Sequence, residues 1–179
     1  MSAWVEGCPY DLRQEWVEGG HLPFGSRWPS VINGESTAME RRIDVITLAV
    51  RDLKRALAFY RDGLGFETRG ITATEFAGDE SNAAGAVVMF RLDGGLTLAL
   101  YPRSELAKDS GSAEAPTQSG AFSLGQIVAN KSDVDTLLAT AEAAGATISD
   151  KPHDRPWGIY SGYFRDPDGH LWEIIHNPK

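Results

Sequence analysis

The chain has 179 residues, 42% hydrophobic and 23% charged, with a formal net charge of −8 and a pI of about 5.0. That length supports one domain or two fused units with a substantial core, and the composition is that of a soluble globular protein. The acidic balance argues against a nucleic-acid partner, no apolar run approaches the roughly 20 residues of a membrane helix, and the single cysteine, Cys8, excludes an internal disulfide.

Residues 1–40 differ from the rest. They hold Trp4, Trp16 and Trp28 of the five tryptophans, and six acidic residues against Arg13 and Arg27 give −4, half the net charge. Without sustained periodicity they read as an irregular arm that packs through its aromatics or stays loosely ordered. Met39 stands just before the first regular strand, so translation starting there is an open alternative. Cys8 beside Pro9 is a poor nucleophile candidate. A reduced cysteine and the absence of a basic-then-apolar leader point to the cytoplasm.

Residues 41–102 form a first regular unit. "IDVITLAV" (43–50) alternates as a strand with two unlike faces. Asp52 can cap the helix "LKRALAFYRDGLGF", with Leu53, Ala56, Leu57 and Tyr60 at helical spacing and Gly63 and Gly65 ending it. A short strand is expected near Ile71–Phe76. "AVVMFRLDGGLTLALYP" then gives a strand, an Asp93-Gly94-Gly95 turn and a second strand. The order is β-α-β-β-β.

Residues 103–120, rich in Ser, Ala and Gly, read as a linker. In residues 121–179 the order repeats. "AFSLGQIVA" is a strand, Ser132 or Asp133 caps a helix bearing Val134, Leu137, Leu138 and Ala141, and Gly145 stops it. A short strand near Thr147 leads through the loop "DKPHDRPWG" to a hairpin, "YFRDPDGHLWEIIHNP". Leu53 to Val134 is 81 residues, Gly65 to Gly145 is 80 and Phe90 to Phe164 is 74, so the offsets suggest internal duplication.

Two such modules, with "ITLAVRDLKRALAFYRDGLGF" and "GYFRDPDGHLWEI", resemble the vicinal oxygen chelate superfamily of glyoxalase I, extradiol dioxygenases, and fosfomycin and bleomycin resistance proteins. "ALYPR" and "WGIYSGYF" look most like its uncharacterised glyoxalase/bleomycin-resistance-like members. The resemblance implies an α+β fold in which paired β-α-β-β-β modules form a cupped, mostly antiparallel sheet around a central cavity. It is a poor guide to chemistry, because one scaffold serves many reactions.

In metal-using members two side chains from each module converge on a divalent cation, which needs several N or O donors at about 2 Å. Here the matching positions are Val45, Ala99 (Leu98 in another register), Ser123 or Gln126, and Glu173. Valine and alanine donate nothing, so no cofactor is expected; Glu173 and Gln126 support weak divalent binding at most.

The resemblance places Val45, Thr47, Ala99 and Tyr101 on the inner face with Glu173. It also makes Thr47, Tyr101, Gln126, Trp157, Tyr160 and Tyr163 the ligand-contacting set, in an apolar pocket with a few hydroxyls. Gly158 and Gly162 would let the aromatic segment bend around the ligand, the alternative being an ordinary aromatic core that includes Phe164. Glu173 has three readings. It recognises a cationic group, acts as a general base, or is a structural carboxylate bonded to a tyrosine. Among the histidines, His21 lies in the arm, His153 in a loop, His170 in a solvated turn, and His176 on the face opposite Glu173. Expected partners are a small organic molecule and a second copy of the chain. The functional alternatives are a metal-free binding protein, a lyase, isomerase or dioxygenase, and an interaction module.

Overall fold

Alternation places Leu48 and Val50 of β1 (Val45–Val50) in the core, 1% and 0% exposed. The computed structural model describes residues 42–114 and 121–178; the arm, Cys8, His21 and Met39 lie outside the described residues. Asp52 accepts the amide hydrogens of Lys54 (2.9 Å) and Arg55 (3.0 Å), starting α1 (Leu53–Leu57) as its capping chemistry requires. The helix continues as a wider π-wound segment, Ala58–Gly63, whose altered phase buries both Phe59 and Tyr60. Strands β2 (Ile71–Thr72), β3 (Val87–Arg91) and β4 (Thr97–Pro102) follow. The sheet order is β1-β4-β3-β2, with β1 parallel to β4 and the other pairs antiparallel.

The expected linker begins as a helix, α2 (Arg103–Ser110). "RSELAKDS" contains no helix breaker, and the residues that suggested a linker start only at Gly111, which ends the helix at φ 62°. The second module contains β5 (Leu124–Val128), α3 (Lys131–Ala143), β6 (Thr147–Asp154), β7 (Tyr160–Arg165) and β8 (Leu171–His176). Its order, β5-β8-β7-β6, repeats that of the first sheet, so the duplication read from offsets is present in the topology.

Two local expectations change. The cap of α3 is Asn130, while Asp133 sits in the first turn and reaches back to accept the Asn130 amide hydrogen at 3.0 Å. β6 is long and bulged, and takes His153 out of the expected loop into a strand.

The fold is α+β, with two four-stranded mixed sheets that are open rather than closed into a barrel. Among the described residues no helix is long and apolar enough to cross a membrane. Residues 42–178 belong to one compact unit, and aromatic rings join its modules. Tyr60 lies 6.1 Å from Trp172 and Phe59 lies 6.4 Å from Phe164, while Phe164 and Trp172 stack on each other.

At the edge of this cluster the β7–β8 turn inserts two buried acids. Asp166 Oδ2 accepts from the Tyr60 hydroxyl (2.7 Å) and faces His170 Nδ1 (2.8 Å), and Oδ1 accepts from the amides of Asp168 and His170. Trp172 Nε1 in turn donates to Tyr60 Oη at 3.1 Å. Asp168 Oδ1 accepts from the Arg51 amide (2.9 Å) and pairs with Arg55 (3.0 Å), whereas its Oδ2 is buried without a hydrogen-bond partner. His170 is therefore not the solvated turn residue expected from sequence; its side chain is 13% exposed because it is tied to Asp166.

Burial pushes the Asp166 carboxyl up, but His170, the Tyr60 hydroxyl and backbone amides outweigh it and hold the group below the ordinary carboxylate value. Burial, then the Asp166 charge, push the Tyr60 phenol well above 10. A depressed carboxyl contributes stability above its unfolded value, about 4, and loses it as pH falls through the folded value. Asp166→Asn should therefore cost about 2–4 kcal/mol at neutral pH. It should also flatten the decline in melting temperature below about pH 4. Denaturant and thermal melts across pH check both, and a variant as stable as the parent at pH 7 contradicts the assigned role.

Candidate functional site

Strand register decides which face each side chain takes. Val45 lies opposite Thr97, Thr47 opposite Ala99, and Ala49 opposite Tyr101. These residues share the face that Leu48, Val50, Leu98 and Leu100 do not, since that second set packs with Ala56 and Leu57 of α1. Val45 is 41% exposed on this open face. Tyr101 is buried, and its hydroxyl donates to the Ala84 carbonyl at 2.6 Å. Burial, then the charges of Asp109 and Glu105, raise its phenol.

In the second sheet Glu173 lies between Gly125 of β5 and Tyr163 of β7. Trp172 and Ile174 enter the core, so Glu173, Tyr163, Ser161 and Ile175 take the opposite, open face. Burial raises the Tyr163 phenol first, and hydrogen bonding and charge from Glu173 raise it further. Arg155 sits 5.5 Å over the Tyr163 ring and is anchored to Ser161 Oγ (3.0 Å), Asp150 Oδ2 (2.6 Å) and His153 Nε2 (2.9 Å). His153 Nδ1 lies 2.9 Å from the Lys151 carbonyl, which can only accept. That assigns the proton to Nδ1 and leaves Nε2 to accept from Arg155, the neutral tautomer. Tyr163 lines an open depression of about 510 Å³ together with Phe122, Ser123, Ser149, Asp150, Arg165 and Leu171.

Not every sequence candidate comes to this face. Gln126 pairs with Ile174 and so takes the α3 side; Gly125 is the residue beside Glu173. Tyr160 also faces α3, donating to Asp135 Oδ1 at 2.8 Å beneath Lys131. An odd separation along one strand necessarily splits Tyr160 from Tyr163. Trp157 is 66% exposed in the β6–β7 connection. A Cβ on Gly162 would lie 2.6 Å from Leu138 Cδ1 and 3.0 Å from the Pro152 nitrogen, so this glycine serves packing against α3 and β6 rather than approach to a ligand. His176 lies on the α3 side, as its parity requires. Sequence reasoning missed Arg155, Asp150 and Ser161. The period-2 spacing of Ser161 and Tyr163 could have found the serine, but the bulges in β6 hid Asp150, and Arg155 lies in the turn after that strand, where no period applies.

The positions that the resemblance makes metal ligands can be placed in the strands. The positions that would supply ligands carry Val45 and Ala99, the residue beside Glu173 is Gly125, and no group of three His, Cys, Asp or Glu gathers among the described residues.

A family model described as Glyoxalase/Bleomycin resistance protein/Dioxygenase superfamily matches residues 42–174. The chain is 30% identical over 132 residues to Uncharacterized protein YraH of Bacillus subtilis (strain 168), covering 72% of this chain and 93% of that one. It is similar to a glyoxalase-related enzyme from Fulvimarina pelagi, with a TM-score of 0.64, 28% identity and coverage of 78% and 90%. The hypothetical protein SA1046 from S. aureus shares the fold at a TM-score of 0.62 and 21% identity, covering 78% and 96%.

The Tyr163–Glu173 pairing has a direct readout. Replacing the carboxylate by an amide in Glu173→Gln should lower the Tyr163 phenol towards its ordinary value, because charge repulsion on the phenolate disappears. Tyrosinate absorbance during alkaline titration, with Tyr163→Phe identifying the transition, checks this. An unchanged titration would show that Glu173 does not act on the phenol.

Proposed function

We propose that the chain, which belongs to the Glyoxalase/Bleomycin resistance protein/Dioxygenase superfamily, binds a small organic molecule on the open face around Tyr163 and Glu173 without the full metal site. One observation carries this reading. The Tyr163 phenol lines an open depression and stands opposite the Glu173 carboxylate, and its ring is covered by a guanidinium that is itself fixed by three side chains. Polar groups held in fixed positions are what orient a small ligand, and Ser123, Ser149, Asp150 and Arg165 line the same depression. The Tyr163 ring and the Glu173 charge favour a partly aromatic or cationic molecule.

A lyase, isomerase or dioxygenase is the second reading, favoured by the likeness to a glyoxalase-related enzyme and by the proximity of an acid to a phenol. Glu173 would then take a proton from the substrate. In this reading as in the first, no cofactor is required, and any divalent cation binds weakly because Val45 and Ala99 offer no donors. We place the protein in the cytoplasm on the strength of its lone cysteine.

Metal analysis after dialysis, a small-molecule screen and Glu173→Gln test the proposal together. The parent should carry no near-stoichiometric Ni, Zn, Fe or Mn, and the variant should fold but bind the screened ligand about 1.5–3 kcal/mol more weakly. Stoichiometric metal would overturn the metal-free reading. Loss of turnover with ligand affinity retained would select the enzyme.

The same proposal includes a homodimer. β1 and β5 are edge strands of their sheets, and Ile43, Val45 and Ile127 at these edges are 71%, 41% and 71% exposed. Unpaired edges with exposed apolar residues are surfaces that a second copy can cover. Sedimentation at micromolar concentration should show a dimer, and Ile127→Lys should shift it towards monomer. A parent that stays monomeric refutes this part.

A further inference from the structure

Arg103 differs from Arg155 in its company. Both are largely buried, but Arg155 bonds to Ser161, Asp150 and His153. Arg103 is only 7% exposed, and among the described residues no hydrogen bond or ion pair reaches its guanidinium. Asp168 Oδ2 is the one buried and unpartnered side-chain atom among the described residues, so the Arg103 nitrogens keep a narrow access to solvent while their donors stay uncommitted. Its carboxylate neighbour in sequence is already engaged. Glu105 Oε2 accepts from the Ala84 amide at 2.7 Å and pairs with Lys108 at 3.3 Å, and Oε1 accepts from Ser104 at 3.2 Å.

The location adds to the argument. Arg103 is the first residue of α2, an eight-residue helix that packs against β1 and β4. Pro102 precedes it and supplies no side-chain cap, so positive backbone potential gathers where the unpaired guanidinium begins. β4 ends at Pro102, and Arg103 follows two residues after Tyr101, at the end of the face that also carries Thr47 and Ala99.

We infer that Arg103 and the start of α2 form an oxyanion subsite in the first module, taking a carboxylate or phosphate group of a small ligand. This goes beyond the proposed role of Glu173, which lies on the other sheet, and the two stand or fall separately.

The full chain is titrated with inorganic phosphate and, separately, with benzoate, at ionic strength matched by chloride, and followed by calorimetry and melting temperature. At least one probe should bind saturably and stabilise the parent beyond chloride. Arg103→Met should weaken that probe by roughly tenfold or more, with the melting temperature of the probe-free protein kept because no hydrogen bond or ion pair of the fold is lost. Arg103→Lys, keeping charge but not the forked geometry, should bind in between. The proposal is overturned if neither probe exceeds chloride, if Arg103→Met binds as the parent does, or if Arg103→Met destabilises the probe-free protein, which would mean a structural partner. Conversion of a dimer to monomer by Arg103→Met in sedimentation would also overturn it, in favour of a carboxylate from a second copy.

Discussion

A buried carboxylate in a turn is the constraint on which this structure rests. Asp166 holds the β7–β8 turn closed from inside by accepting two amide hydrogens of that turn. Its other oxygen reaches Tyr60 of the first module. The turn therefore cannot change register without abandoning a buried charge. Register in turn decides that Tyr163, rather than Gly162 or Phe164, stands opposite Glu173. Local turn chemistry, the join between modules and the makeup of the open face thus share one group.

The same network explains why two β-α-β-β-β modules behave as one unit. Aromatic packing supplies area, as the Phe59, Tyr60, Phe164 and Trp172 rings close the junction, but area alone would let the modules slide. The directional bonds from Tyr60 and from Arg51 and Arg55 to Asp166 and Asp168 fix how they meet. The cost is visible in Asp168 Oδ2, buried without a hydrogen-bond partner. Specificity of arrangement here takes precedence over complete satisfaction of every polar atom.

Much of the fold was legible because it follows from period. Leu48 and Val50 alternate with Thr47 and Ala49, Asp52 precedes a helical repeat, and the second module reuses the order of the first. What failed was what period does not encode. The cap of α3 moved to Asn130 because a reciprocal contact with Asp133 outweighs the preference of either Ser132 or Asp133 for the cap position. His170 looked solvated because its turn was read without the module that covers it. Of the proposed contacts, Tyr163 reaches the face of Glu173. Tyr160 and Gln126 take the opposite face, since a ligand list drawn by residue type ignores parity. Asp150 lies in a bulged strand and Arg155 in the turn that follows it, and bulges and turns break the alternation by which a face is predicted.

The two buried arginines show why composition of an open face is an incomplete guide to what it binds. Arg155 is a cation only in the formal sense. Asp150 balances its charge, its donors are directed to Ser161 and His153, and its plane covers Tyr163, so its effect on a ligand is exerted through the ring it holds in place. Arg103, with the same side chain and similar burial, has no such commitments. One arginine has been turned into scaffold by its neighbours, while the other retains its capacity for an anion. The acid–phenol pair lies on the second sheet, and the uncommitted guanidinium lies at the start of α2, just beyond β4 of the first. Duplication has yielded two sheets of equal topology, and the two proposals made for them assign opposite chemical preferences. A molecule that carries both a cationic or aromatic part and an oxyanion is the kind of ligand for which such a division makes sense.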